Sequence, residues 1–331
     1  METLVFAVLI ILFGLVFDYT NGFHDAANVV STVIATRVLA PATAIVLAGL
    51  LNTVGATHIS GVVHTITTDI VQSSLSTPIV ILSAILGAII WNVLTWYFGI
   101  PSSSSYALIG GLIGAAFVAS GTQGVVWKGV LFKVIIPMVV SPVIGFVIAF
   151  FLMKFLSFVT TRKQEKGREK IFAHLQIGSA GLVAISHGLN DAQKSMGLIT
   201  LGLFTAGFIT DITVPLWVIF ACALVMGLGT ASGGMRIIRT VGFSITKLRP
   251  IQGFAVEMSA SLVILSASFL GMPVSSTHMI VGSVTGVGAA KKLSSVQWDV
   301  IKKLLYVWAL ALPGASLVSA SVWLIINWIA T

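Results

Sequence analysis

Charge is what this sequence has least of. Only 8% of its 331 residues are Asp, Glu, Lys or Arg, against about 25% in an ordinary soluble domain. So few charges cannot clothe a water-facing surface, and a soluble globular protein is excluded. Cysteine is nearly absent. Cys222 stands alone in an apolar run, which excludes an internal disulfide and a Cys-based metal site. Basic residues interleaved with aromatics, the footprint of a nucleic-acid binder, are missing as well, so no nucleic-acid partner is expected. The first residues carry neither a basic n-region nor a small-residue cleavage site. Met1–Phe17 therefore reads as a first span rather than a removed signal.

What is there is apolar. Hydrophobic residues make up 57% of the chain and mean hydropathy is +1.06. The apolar runs are long and do not alternate residue by residue as barrel strands do. They run roughly 4–17, 26–39, 42–54, 79–98, 107–119 and 130–158, then 171–185, 196–208, 214–228, 254–270, 279–289 and 304–329. Several are shorter than the ~20 residues of a straight span. The short ones flank polar blocks, which suggests broken helices or re-entrant hairpins.

The formal net charge of +8 is concentrated. Half of the 18 Lys and Arg fall in the central run 162–170 or in Lys291-Lys292 and Lys302-Lys303. Basic loops beside spans face the cytoplasm. The expected division is a first transmembrane repeat at 1–158, a cytoplasmic basic loop at 159–170 and a second repeat at 171–331, in the cell membrane.

The repeat shows in two polar blocks, each present twice. Thr20-Asn21-Gly22-Phe23-His24-Asp25 is matched by Ser186-His187-Gly188-Leu189-Asn190-Asp191, with the carboxylates 166 positions apart. Pro101-Ser102-Ser103-Ser104-Ser105 is matched by Pro273-Val274-Ser275-Ser276-Thr277, 172 positions on. Ionisable residues at membrane depth are expensive and mark sites. Duplicated blocks in two halves place such a site at the interface of the halves. A lone buried Asp is as often a structural hydrogen-bond acceptor, but two at matching positions favour a site.

The two blocks suit different ions. On a helix, Asn21, Asp25, Asn28 and Thr32 form one polar stripe, and His187, Asp191 and Lys194 (or Ser195) form its counterpart. Carboxylate, amide and hydroxyl oxygens are hard ligands suited to Na+. A helix break at Gly22 or Gly188 would add backbone carbonyls. The Pro–Ser blocks each precede a small-residue helical run. Ser at the N-cap and free first-turn amides make an anion site without a basic residue. Ser104, Ser105, Ser276 and Thr277, with Asn28 and Asn190 beside them, are assigned to the anion. Asp25 and Asp191, with Asn21, Ser103 and Ser275, are assigned to Na+, and Glu257 is a further candidate cation ligand. Asp18, Asp69 and Asp211 lie near segment ends and read as solvated. Arg236 and Arg239 read as a basic edge rather than anion ligands. Two carboxylates repel an anion unless cations are bound, so anion and cation raise each other's affinity. That predicts a symporter rather than a channel or an enzyme, with no cofactor beyond the coupling ion.

These blocks together resemble the inorganic phosphate transporter family. Its signatures read approximately Gly-Ala-Asn-Asp and Pro-Val-Ser-Thr-Thr-His in each half. Here they stand as Gly22–Asp25, Gly188–Asp191, Pro101–Tyr106 and Pro273–His278. His24 departs from the usual Asn and Tyr106 from the usual His. The resemblance spans nearly the whole chain. It implies an all-α fold of about 12 helical segments in two inverted repeats, with a phosphate site between the halves. It also implies cation coupling and a homodimer in the bilayer. Members differ in coupling ion and cargo. A proton-coupled phosphate or metal–phosphate symporter and a sulfate permease are therefore the alternatives to Na+-coupled phosphate uptake. An intramembrane hydrolase is disfavoured. The Gly-x-Gly-Asp frame of an aspartyl protease is absent, and so is the Gly-x-Ser-Gly frame of a serine enzyme.

Overall fold

A computed structural model describes residues 2–160 and 165–330. Of the expected basic loop at 159–170, residues 161–164 lie outside the described residues, and helix has begun by Glu165. The first half runs α1 (Glu2–Ala35), α2 (Pro41–Ala56), α3 (Val62–His64), α4 (Pro78–Tyr97), α5 (Ser104–Ser120), α6 (Trp127–Gly129) and α7 (Ile136–Val159). The second runs α8 (Glu165–Thr205), α9 (Leu216–Ser232), α10 (Met235–Phe243), α11 (Pro250–Phe269), α12 (Ser276–Lys291) and α13 (Trp298–Ala330). Among the described residues the architecture is all-α, as expected.

Among the described residues, six helices are long and apolar enough to cross a membrane: α1, α4, α5 with its following turn, α6–α7, α11 and α13. The pair α9 and α10, bent by 70°, can make a seventh. The molecule is inside-out by soluble standards. Large apolar side chains such as Leu12, Val143, Phe151, Leu224 and Leu317 lie on the outer surface. Asn, Asp, Ser, Thr and His side chains fill the centre.

Equivalent helices run in opposite directions. Along α1 and α8, Gly14 meets Ile199, Asp18 meets Ser195 and Thr36 meets Gln176. Numbers rise on one helix as they fall on the other, so the two are antiparallel partners. The contacts are also exchanged between halves. α1 packs on α9 while α8 packs on α2, and α5 packs on α13 while α12 packs on α7. Each half therefore completes the other's core.

One expectation is overturned. No helix break occurs at Gly22 or Gly188. α1 and α8 run unbroken through both blocks, so the apolar runs on either side of each block merge into one helix. The glycines serve close approach instead. A Cβ at Gly22 would strike the carbonyl oxygen of Met226, and one at Gly188 that of Asn52. Small residues let helix backbones touch where no hydrophobic effect drives association. The chain breaks at the hydroxyl blocks. Gly99 and Gly271, both at φ +66°, end α4 and α11 and turn the chain into the starts of α5 and α12. That backbone conformation favours glycine.

Candidate functional site

The sequence places a carboxylate block at mid-length on α1 and α8 and a hydroxyl block at the first turn of α5 and α12. The crossed packing of the halves brings all four to one place. Asp25, Asp191, Asn28, Ser104, Ser105, Ser276 and Thr277 are all buried.

The starts of α5 and α12 are built alike. Ser103 Oγ accepts from the Tyr106 amide at 3.2 Å, and Ser275 Oγ accepts from the His278 amide at 3.3 Å. Both serines are therefore N-caps. An α-helix leaves its first amides without intrahelical partners. With the third-position amide capped, the Ser104 and Ser105 amides and the Ser276 and Thr277 amides remain as donors at the positive ends of two helix dipoles. The two starts also lock together reciprocally. Ser105 donates to the Val274 carbonyl at 3.3 Å, and Thr277 donates to the Ser102 carbonyl at 3.1 Å.

The carboxylates reach these hydroxyls from both halves. Ser104 donates a short hydrogen bond to Asp25 Oδ2, and Thr277 Oγ1 lies 3.4 Å from Asp25 Oδ1. Asn28 donates to Ser276 at 3.1 Å and to Thr277 at 2.9 Å. Ser276 is 3.3 Å from Asp191 Oδ2. Each carboxylate also has a histidine. His24 Nδ1 is 3.0 Å from Asp25 and His187 Nε2 is 2.9 Å from Asp191. Each ring is held from behind, His24 by Thr95 at 3.3 Å and His187 by Asn52 at 3.1 Å. Ligand atoms of Asp25, His187 and Asp191 all lie within 4.8 Å of one another. The half-sites thus form one site.

Other candidates fall outside it. Glu257 accepts from Thr32 at 2.6 Å, Gln176 at 3.0 Å and Ser179 at 2.5 Å, a separate polar cluster. Asn190 donates to Ser268 at 2.8 Å and to the Met272 carbonyl at 3.3 Å, so it braces the turn leading into Pro273. Asn21 is buried with Oδ1 unpartnered among the described residues. Arg236 and Arg239 are exposed, and Arg236 donates to the Tyr97 carbonyl and stacks on Trp96. Asp69 is part-exposed and Asp211 exposed, as expected. Asp18 is not solvated. It is fully buried and accepts from Ser195 at 2.7 Å, because it faces the α1–α8 crossing. A groove of about 450 Å³ between α7, α12 and α13 is lined almost entirely by apolar side chains, among them Val143, Phe146 and Leu305.

Sequence reasoning undervalued Lys194. It is fully buried, its Nζ contacts Asp191 Oδ1, and it lies 2.5 Å from Ser105 Oγ and 3.2 Å from the Val274 carbonyl. The signal was present: a basic residue three positions after Asp191, at the repeat position that Asn28 holds in the first half.

Two capped helix starts thus stand opposite two carboxylates in one buried network. The model of the phosphate transporter family matches residues 21–170 and again 159–319. The chain belongs to the phosphate transporter family. It is 43% identical over 329 residues to the "Probable low-affinity inorganic phosphate transporter" of Bacillus subtilis (strain 168), covering 98% of each chain. Identity to the protein of the same description from Rhizobium meliloti (strain 1021) is 42% over 322 residues, covering 96% of each. Its fold matches a solved structure titled "The sodium-dependent phosphate transporter" with a TM-score of 0.89 at 26% identity, over 98% of this chain and 100% of that one. The protein is a multi-pass membrane transporter of phosphate rather than an enzyme.

Proposed function

We propose that the protein is a Na+-coupled inorganic phosphate symporter working by alternating access around the site at the α1–α8 crossing. The observation that carries this reading is the convergence of two capped helix starts and two carboxylates in one buried network. Phosphate is held by the free first-turn amides of α5 and α12 and by Ser104, Ser105, Ser276 and Thr277, with Asn28 beside them. Fixed dipoles and amides supply this without a mobile basic side chain. Asp25 is the ligand for the exchanging cation, with the hydroxyls of Ser104 and Thr277 around it. The carboxylates repel phosphate until a cation arrives, and phosphate in turn raises cation affinity. Coupling then follows from linkage. Likeness to a protein titled as sodium-dependent supports Na+.

The halves 1–158 and 171–331 act as the two inverted repeats. Because α5 packs on α13 and α12 on α7, a rocking motion of one crossed pair against the other would open the site to either side in turn. The outer apolar belt faces the lipid bilayer and a second copy of the chain, and the residues between the halves lie in the cytoplasm.

The test is uptake of radiolabelled phosphate into proteoliposomes with Na+ and pH gradients imposed separately and sulfate as competitor. Uptake driven by inward Na+ at equal pH, and resistant to excess sulfate, is expected. Uptake that follows only the pH gradient would transfer the coupling to protons.

A further inference from the structure

The two half-sites differ by one cation that is part of the chain. The offset of 166 that pairs Asp25 with Asp191 also pairs Asn28 with Lys194. On α1, Asn28 directs its amide N–H donors to Ser276 and Thr277. On α8, the Lys194 Nζ meets three oxygens: Asp191 Oδ1, Ser105 Oγ at 2.5 Å and the Val274 carbonyl at 3.2 Å. An ammonium has three donors, and three acceptors are present.

That oxygen set is a carboxylate, a hydroxyl and a backbone carbonyl, all buried. It is the kind of set that holds a hard monovalent cation. The counterpart at Asp25 has the carboxylate and the hydroxyls of Ser104 and Thr277 but, among the described residues, no fixed positive charge. His187 faces Asp191 from the other side and His24 faces Asp25, so each carboxylate has a histidine, although from different repeat positions. The histidines therefore do not account for the asymmetry.

We propose that the Lys194 ammonium is a tethered substitute for one coupling cation. It permanently fills the Asp191 half-site, leaving the Asp25 half-site as the one that exchanges an ion from solution. The proposal rests on the symport reading. It predicts a lower cation-to-phosphate ratio than a transporter with an amide at both positions. It also makes Ser105 a shared ligand, which accepts from the tethered charge and meets phosphate by turning its hydroxyl away from the Val274 carbonyl. A merely structural ion pair would leave the cation order of transport unchanged, and this separates the two roles.

The experiment is the initial rate of phosphate uptake into proteoliposomes as a function of Na+ at fixed pH, for the wild type, Lys194→Asn and Asn28→Lys. Equilibrium binding of 22Na+ is measured on the same preparations. Lys194→Asn opens a second exchangeable site, so its order in Na+ should rise by about one and it should bind more 22Na+ per protein. Asn28→Lys fills the remaining site, so its order should fall by about one. An unchanged order and unchanged 22Na+ binding in Lys194→Asn overturns the proposal. So does a monodisperse Lys194→Asn that neither transports nor gains 22Na+ binding. If Lys194→Asn does not fold, an unchanged order in Asn28→Lys overturns it. If the wild type takes up no phosphate, the symport reading has failed, and the 22Na+ comparison still decides the role of Lys194.

Discussion

Neutralising the two aspartates should have unequal consequences, although the sequence repeats make them look interchangeable. Asp191 is the buried counter-charge of Lys194. In Asp191→Asn the ammonium keeps a hydroxyl and a carbonyl but loses its only carboxylate partner. Breaking a buried ion pair from one side costs about 3–5 kcal/mol. An effective permittivity near 20 gives a similar figure, about 4 kcal/mol for unit charges ~4 Å apart. Among the described residues, Asp25 has no lysine partner. Its partners are the hydroxyls of Ser104 and Thr277 and the His24 ring. A hydroxyl can reverse from donor to acceptor to suit an amide. The expected stability cost of Asp25→Asn is therefore that of an ordinary hydrogen-bond rearrangement, about 1 kcal/mol. Thermal unfolding of the purified variants in detergent, followed by tryptophan fluorescence, reads the difference. Asp25→Asn should melt near the wild type while losing cation-coupled uptake. Asp191→Asn should melt well below it. Adding Lys194→Met to Asp191→Asn should restore much of the lost stability, because replacing both members of a buried pair is often nearly neutral. Equal melting of the two single variants, or no recovery in the double variant, would refute the assignment of Asp191 and Lys194 as a pair.

Three further outcomes are expected. Ser104→Ala or Ser276→Ala should raise the KM for phosphate about 10-fold or more with the order in the coupling cation unchanged, since a hydrogen bond to a charged group contributes about 1.5–3 kcal/mol; uptake kinetics check this. Glu257→Ala should destabilise the protein by about 1–3 kcal/mol by stranding the donors of Thr32, Gln176 and Ser179, whereas Glu257→Gln should lose less; melting temperatures of the pair decide it. Gly188→Val should force α8 away from the Asn52 carbonyl on α2 and cost about 1–3 kcal/mol or more, visible as lost thermal stability, while Gly178→Ala, on the same helix with open space around it, should not.

The fold class and the four polar blocks were legible because polarity in lipid is costly and stands out against 57% hydrophobic sequence. The continuity of α1 and α8 was not. A polar stretch between apolar runs looks like an interruption when the chain is assumed to face lipid. Here it faces another helix, and the glycines that looked like breaks are contact points for Met226 and Asn52. Asp18 was misread for a related reason. Proximity to the end of an apolar run suggested solvent, but the helix extends through that end and aims Asp18 at Ser195. The split of Ser103 and Ser275 from their neighbours could not be read from composition either. Only the helix start shows which serine turns its oxygen back to cap and which are left to face the carboxylates.

The crossed packing gives a reason for the duplication that neither half contains alone. Ser105 of the first half meets Lys194 of the second, and Asn28 of the first meets Ser276 and Thr277 of the second. Neither half-site can be assembled from one repeat. A movement that shifts α12 relative to α1 alters the contacts of Asn28, Asp25, Ser276 and Thr277 at once. A site built from a single half would let one ion leave while the other stayed bound, and coupling would leak. In the proposed coupling, the contacts that cross between the halves, Asn28 to Ser276 and Thr277, Thr277 to Asp25 and Lys194 to Ser105, let one movement release both ions. Strict symmetry is not required for this, only that both halves contribute to both ions. The chain can therefore replace Asn by Lys on one side without losing the device, and that exchange changes how many cations the device must collect from solution.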